Sequence, residues 1–464
     1  MKNCILVFVF LSVVLSTNSQ TPFSFYPSFN PIEAGLGFGS KVDLDGNEII
    51  ASNQRTLVYV FDKNTNGVQQ KQIIYSPNAS DGTFGYAISI ENNRIAIGDP
   101  LINSVAENAG SVFIYSKTGD LYDLQQIIPS PEATLNYHFG SYVKIFGNHL
   151  FIAAENQVNY QNASSNVGSV YHYLYNGTEW VFQQKLIGTA PNAYYGKKIE
   201  FNGNMLVIYT RNNSNNGHGI DFLIFSNNQY VSVGGYSAEG LEDEFDFCLD
   251  DNNLSILKNR VVNVLTFNND NSFSGTGYFQ IAPEIHGDHL FSTIAAIDDN
   301  LFIGSNSYIL QMTRKFPVLH YKKAGNTYSY QSSYFGAGPS GEDDYFGSVL
   351  VSKGNSLIIG APLERIILPY SGNVYVLDYL LANEQFEYNA ISVFPNPTSD
   401  RVFVNNSSSL AISKIEMYSV SGKLLQTQNS NFNEISLENF STGLYFAKIY
   451  SQSEVFLTFK IVKN

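Results

Sequence analysis

Two acidic runs carry the densest reactive chemistry in the chain, Glu242-Asp243-Glu244 and Glu342-Asp343-Asp344. Two carboxylates held about 5 to 9.5 Å apart can hydrolyse a glycoside, and such groups can also hold a cation. Both runs directly precede the start of a repeated unit, so solvated loops between units are the simpler expectation. The histidines stand at His138, His149, His172, His218, His286, His289 and His320. Only His286 and His289 are close, and two imidazoles on one loop are weak evidence for metal without further placed ligands. Asp43-Leu44-Asp45-Gly46-Asn47 comes nearest to a calcium loop. Calcium needs about six to eight oxygens, and Glu48-Ile49-Ile50 brings no acidic partner at the required spacing, so a hairpin turn is expected. No Gly-x-Ser-x-Gly elbow, His-Glu-x-x-His pair or phosphate loop occurs. Tyr194-Tyr195 and Tyr334-Phe335 could stack on sugars, with packing between units as the simpler role. No catalytic, metal-ligating or cofactor-binding residue is therefore assigned.

The chain that must position these groups has 464 residues, 44% hydrophobic, 14% aromatic and only 14% charged. Low charge excludes a coiled coil, and the aromatic load argues against disorder. A net charge of −14 argues against nucleic acid, whose binders need a basic face. The two Cys exclude a disulfide scaffold and a Cys-built zinc site.

Residues 1–19 read as a signal peptide: Lys2, an apolar run Ile5 to Leu15, then Ser16-Thr17-Asn18-Ser19. The run is too short for a bilayer, which needs about 20 residues, and no other stretch is long enough. Cleavage after Ser19 would remove Cys4 and leave Cys248 as the lone thiol, in an acidic setting that disfavours a thiolate.

At the other end, 391–464 has its own character. It holds six Lys/Arg and five Asp/Glu, a net of +1, while 20–390 holds 19 basic and 35 acidic residues, a net of −16. Alternating runs at Arg401–Asn405, Ile412–Ser419, Lys423–Thr427, Gly443–Ser451 and Val455–Val462 predict a small Ig-like antiparallel β-sandwich. Four motifs follow in order: Phe394-Pro395-Asn396-Pro397-Thr398, Met417 to Gly422-Lys423, Leu437 to Gly443-Leu444-Tyr445, and Phe459-Lys460-Ile461-Val462-Lys463. Together they resemble the type A C-terminal sorting domain of the type IX secretion system, with Ser399 where many members place Gly. The resemblance implies delivery to the cell surface or medium across both membranes of a Gram-negative cell, with the secretion machinery as partner. Pro395, Asn396, Pro397, Gly422, Gly443, Tyr445, Lys460 and Lys463 carry it.

Between the ends runs a repeat. Units start at Phe38-Gly39, Phe84-Gly85, Phe139-Gly140, Tyr195-Gly196, Phe245-Asp246, Leu290-Phe291 and Phe346-Gly347, at spacings of 46, 55, 56, 50, 45 and 56 residues. Each start leads into a strand, an Asn/Asp/Gly turn such as Asn92-Asn93 or Gly354-Asn355, and a second strand ending in a small residue. Seven such units predict an all-β chain with a seven-bladed β-propeller over 20–380, joined by a linker, 381–390, to the sorting domain. The last unit lacks a fourth strand, which Pro22–Ile32 could supply. Phe84-Gly85 with Ile97-Gly98-Asp99-Pro100, and Phe346-Gly347 with Ile359-Gly360-Ala361-Pro362, resemble FG-GAP repeats of the integrin α-chain propeller. Many such repeats bind calcium; here the loop is not matched, so no cofactor is expected. The expectation is an exported, non-catalytic module that binds an extracellular protein or glycan. The alternative is a surface glycan hydrolase or lyase using carboxylates of the propeller face.

Overall fold

The computed structural model describes residues 23–25, 37–53, 56–64, 67–77, 83–155, 167–190, 193–212, 217–238, 245–268, 272–282, 291–305, 317–325, 327–336, 345–364, 372–379, 391–406, 412–420, 423–451 and 456–464. The signal segment 1–19, the linker 381–390, both acidic runs, His286, His289, Leu290 and Gly422 lie outside the described residues. All described elements are strands, in two compact units, one spanning Phe23–Tyr379 and one containing 391–464.

The larger unit holds seven four-stranded antiparallel sheets. Their first strands are Lys41–Asp45, Ala87–Glu91, Phe139–Phe146, Ile199–Phe201, Phe245–Asp250, Thr293–Ile297 and Val349–Lys353. In six sheets the strands follow in chain order. In the seventh, the fourth place is taken by Phe23–Phe25, which pairs Phe23 with Tyr379 and Phe25 with Leu377. The seventh sheet thus joins distant stretches of chain. Turn chemistry fits the hairpins: Asn92, Asn93, Asp298, Gly46, Gly147 and Gly354 all take positive φ.

Burial grades across each sheet. Second strands such as Glu48–Ser52, Arg94–Asp99 and Ser356–Ala361 are buried along nearly their whole length. They are covered on both faces, so they read as continuous apolar runs rather than alternating ones. Fourth strands such as Leu121–Pro129 are mostly exposed. Six sheets share a register shift between the third and fourth strands, at Val60/Phe61, Ile114/Tyr115, His172/Tyr173, Phe222/Leu223, Val264/Leu265 and His320/Tyr321, with the extra residue on the fourth strand each time. A bulge there increases the twist of the outer half of each sheet.

Neighbouring sheets lock through backbone contact. A Cβ on Gly98 would lie 2.0 Å from the carbonyl oxygen of Gly140, and one on Gly304 2.2 Å from that of Gly347. A Cβ on Gly360 of the seventh sheet would lie 2.3 Å from the carbonyl oxygen of Gly39, at the start of the first. The small residue ending the second strand is therefore small because the next unit's Phe-Gly backbone lies against it. First strands contact one another in a closed cycle, with Val349–Lys353 touching Lys41–Asp45. Lys63 also crosses from the first sheet to the seventh, 2.6 Å from Asp378 Oδ1 and 2.7 Å from Ser356 Oγ.

Side chains of the first strands staple sheet to sheet. Asp43 Oδ2 accepts from Ile90 N at 2.8 Å and Asp45 Oδ2 from Asn92 N at 2.7 Å. Ser89 Oγ accepts from Ile145 N at 3.1 Å and Glu91 Oε1 from Gly147 N at 2.7 Å. Asp246 Oδ2 accepts from Ile294 N and Asp250 Oδ2 from Asp298 N, both at 2.9 Å. The fifth unit departs from the sequence frame. Phe38, Phe84 and Phe346 precede their strands, but Phe245 lies inside its strand, paired with Lys258. Asp250 turns the hairpin there as Asp45 does in the first sheet, which puts Asp246 where Lys41 stands.

The smaller unit has two sheets. Ile391–Phe394, Arg401–Asn406 and Glu434–Ser436 form one; Leu424–Gln428, Ile412–Ser419, Gly443–Ser451 and Phe456–Lys463 form the other. Val402, Val404, Ile435, Met417, Ala447 and Ile461 share one core between them. Ile391–Phe394 and Glu434–Ser436 were not expected from the alternation; at four and three residues they are too short to show it.

Candidate functional site

The first strands of the larger unit surround a cavity of about 720 Å³. Consecutive residues of those strands line it, among them Lys41–Asp43, Ala87–Ser89 and Phe245–Leu249. The wall includes Lys41 and Asp43, Tyr142 and Lys144, Lys198 and Glu200, and Asp246 and Cys248. Most of these charges are already engaged. Lys144 Nζ lies 3.1 Å from Glu200 Oε2, and Lys198 Nζ lies 2.7 Å from Asp246 Oδ1 and 4.0 Å from Glu200 Oε1. Burial pulls the Lys198 ammonium down, but Asp246 and Glu200 outweigh it and hold the group protonated. Asp43 accepts from its neighbour Leu44 N at 2.9 Å as well as from Ile90 N. Lys353 reaches Asp45 at 3.3 Å and Glu91 at 3.0 Å.

Where the first strands begin, the pattern changes. Lys41 and Lys197 also line the cavity, and among the described residues neither has a carboxylate within ion-pair distance. Lys41 Nζ sits 5.8 Å from the ring centre of Tyr86, and Lys197 Nζ 5.6 Å from that of Tyr209. Burial lowers the Lys41 pKa, Glu155 raises it, and Lys198 and Lys197 lower it further. Burial raises the Glu155 carboxyl, against the pull of Lys197 and Lys41. Burial also pushes the Tyr142 hydroxyl up to about 12, so it stays a donor at neutral pH. This end of the wall thus presents two ammonium groups beside the rings of Tyr142, Tyr209 and Phe245. In a segment of net charge −16, it concentrates positive charge.

Of the other described candidates, Cys248 and His218 also line the cavity, and the rest fall elsewhere. Burial raises the Cys248 thiol well above its ordinary value, so it is inert. His149 Nδ1 lies 3.0 Å from His172 Nε2, with the rings stacked, in packing that joins the third and fourth sheets. His218 is held by the Tyr209 hydroxyl at 2.8 Å, and His320 by Asn300 Oδ1 at 2.9 Å. Tyr195 is buried and bonds Asp221, whereas Phe335 is exposed. No group of three His, Cys, Asp or Glu able to hold a metal occurs among the described residues.

A second site gathers the sequence motifs of the smaller unit. Asn396 grips the backbone of the last strand: Nδ2 donates to the Lys460 carbonyl at 2.5 Å, and Oδ1 accepts from Val462 N at 2.9 Å. Thr398 continues this parallel pairing, its N–H donating to Val462 O at 2.9 Å. Pro395 and Pro397 flank Asn396 and are exposed. Lys463 turns inward, only 9% exposed, and donates to the carbonyls of Leu437 and Phe440 at 2.5 Å each and Glu438 at 3.4 Å. Gly443 pairs with Lys463, and Tyr445 packs edge-on against Phe440 while donating to Ser441 O at 2.8 Å. Lys460 is exposed. Motifs dispersed over seventy residues therefore meet at one edge.

Comparison with known proteins agrees with that second site. Residues 392–464 match the family described as the secretion system C-terminal sorting domain. No curated protein matches the chain. Among solved structures, the chain is similar to a hypothetical selenium-binding protein from Sulfolobus tokodaii, at 12% identity, TM-score 0.42, over 62% of this chain and 75% of that one. It is similar to Saccharomyces cerevisiae Sqt1 at 10% identity, TM-score 0.44, over 94% and 98%. It is similar to Kuenenia stuttgartiensis hydrazine synthase at 12% identity, TM-score 0.42, over 61% and 77%. The sorting domain marks the protein for export by the type IX secretion system, to the cell surface or the medium. No helix long and apolar enough to cross a membrane occurs among the described residues.

Proposed function

We propose that Phe23–Tyr379 is a seven-bladed β-propeller of FG-GAP-like repeats that works as a binding module for an extracellular glycan or protein. The observation that carries this reading is the cycle of first-strand contacts, in which the seventh sheet meets the first and borrows Phe23–Phe25 as its outer strand. A sheet buries its faces only against neighbours, so a cycle leaves no end uncovered. The rigid ring then presents loops and a central cavity to a partner.

A binding role is favoured over glycan hydrolysis by the state of the cavity carboxylates. Asp43, Glu200 and Asp246 are each tied to lysines or backbone N–H groups, leaving no pair of them free to exchange a proton with substrate. The test is an array of glycans and surface proteins probed with the full chain, with and without calcium. Selective retention on a ligand without product release supports the reading. A blank array in both conditions, or turnover of a retained glycan, contradicts it.

A further inference from the structure

The cavity wall sorts its lysines into two kinds. Lys144 and Lys198 have carboxylate partners within hydrogen-bond reach. Among the described residues, Lys41 and Lys197 have no carboxylate within ion-pair distance and stand by the rings of Tyr86 and Tyr209. Both stand at the end where the first strands start, beside Tyr142 and Phe245. Holding like charges together is unfavourable unless something neutralises them. Glu155 supplies one negative charge to two ammonium groups. The cavity, at about 720 Å³, is within the range of small-molecule sites and has room for a short oligosaccharide. Tyr142, Tyr209 and Phe245 in its lining supply aromatic rings of the kind that pack on a sugar ring.

We propose that this end of the cavity binds a saccharide whose ring bears a carboxylate or sulfate, with Lys41 and Lys197 receiving the anionic group and the tyrosines flanking the ring. This rests on the binding-module reading and narrows its ligand.

The test is calorimetric titration of the full chain with four probes: trigalacturonate, a sulfated trisaccharide, a neutral trisaccharide and hexaglutamate. Acidic saccharide is expected to bind at least tenfold more tightly than neutral, and to weaken as salt rises. Preference between the first two probes identifies the anionic group. Lys41→Met with Lys197→Met should weaken acidic saccharide at least tenfold, while Lys322→Met, exposed on the sixth sheet, should not. Lys41→Gln with Lys197→Gln repeats the test if the Met pair fails to fold. Equal binding of acidic and neutral saccharide, or acidic binding unchanged in both double variants, would overturn the inference. So would tighter binding of hexaglutamate than of any saccharide. Each of those results leaves a binding module in place. Silence from all four probes overturns the inference alone, since the array above decides the broader reading separately.

Discussion

Lys463 in the sorting domain and Lys41 in the cavity are both lysines withdrawn from bulk water, with opposite surroundings. Three backbone carbonyls accept from Lys463, so its charge is used up in holding the Leu437 to Phe440 turn to the last strand. Lys41 Nζ stands 5.8 Å from the ring centre of Tyr86, with no carboxylate within ion-pair distance among the described residues. Asn396 resembles Lys463 in this respect: both sides of its amide are engaged by the last strand. In the sorting domain the motif side chains build the shape that is read. In the larger unit the fold is held by backbone contact and carboxylate staples, and among the described residues Lys41 and Lys197 have no carboxylate within ion-pair distance.

That contrast can be broken by removing ammonium groups one environment at a time. Lys463→Met should have the largest effect, about 3 kcal/mol off the sorting domain's stability, because buried carbonyls lose a charged donor. Calorimetric unfolding of the full chain would read it as an early transition of the smaller unit, and export should fall with it. Lys198→Met should cost the larger unit about 1–2 kcal/mol, since Asp246 would lose its ammonium partner while Lys144 still holds Glu200. Lys41→Met with Lys197→Met should cost less, about 0.5–1 kcal/mol, because no hydrogen-bonded carboxylate is stranded and only the longer-range attraction to Glu155 is lost.

A pH series sharpens the same point for buried imidazoles with neutral partners: His172 meets His149, which also meets the Tyr230 hydroxyl. Burial first, then His149, pushes the pKa of His172 down to about 3. Its unfolded value is about 6.5. The unfolded chain therefore binds the proton more readily, and stability is complete above about pH 6.5 and falls as pH drops toward 3. Near pH 5.5 the loss should be about 1 kcal/mol. His320, pushed down to about 4 by burial and then Lys322, acts in the same direction. His172→Phe should flatten part of this slope in thermal melts between pH 7 and 5; an unchanged slope would move the effect to His320 and other groups.

Legibility in the sequence followed the range of the interaction. The hairpins were readable because Asn92-Asn93 and Gly354-Asn355 carry their turn chemistry locally. The sorting motifs were readable as a pattern, but the roles of Asn396 and Lys463 were not, since their partners lie over twenty residues away. The staples from Asp43, Glu91 and Asp246 link neighbouring sheets, across 47, 56 and 48 residues. They emerge only once register is known. Phe245 misled the repeat frame because an aromatic before an acidic residue looks like a degenerate start, whereas its backbone is already paired in the strand. The cavity was illegible for a related reason: Lys41, Lys144 and Lys197 are isolated in sequence, and the first strands bring them together.

The most direct test of the account is a crystal structure of the full chain grown with trigalacturonate. The account predicts a sugar carboxylate within hydrogen-bond reach of both Lys41 Nζ and Lys197 Nζ, with a ring against one of the lining tyrosines. Saccharide bound only along the outer strands, or density in the cavity that leaves both ammonium groups untouched, would contradict it.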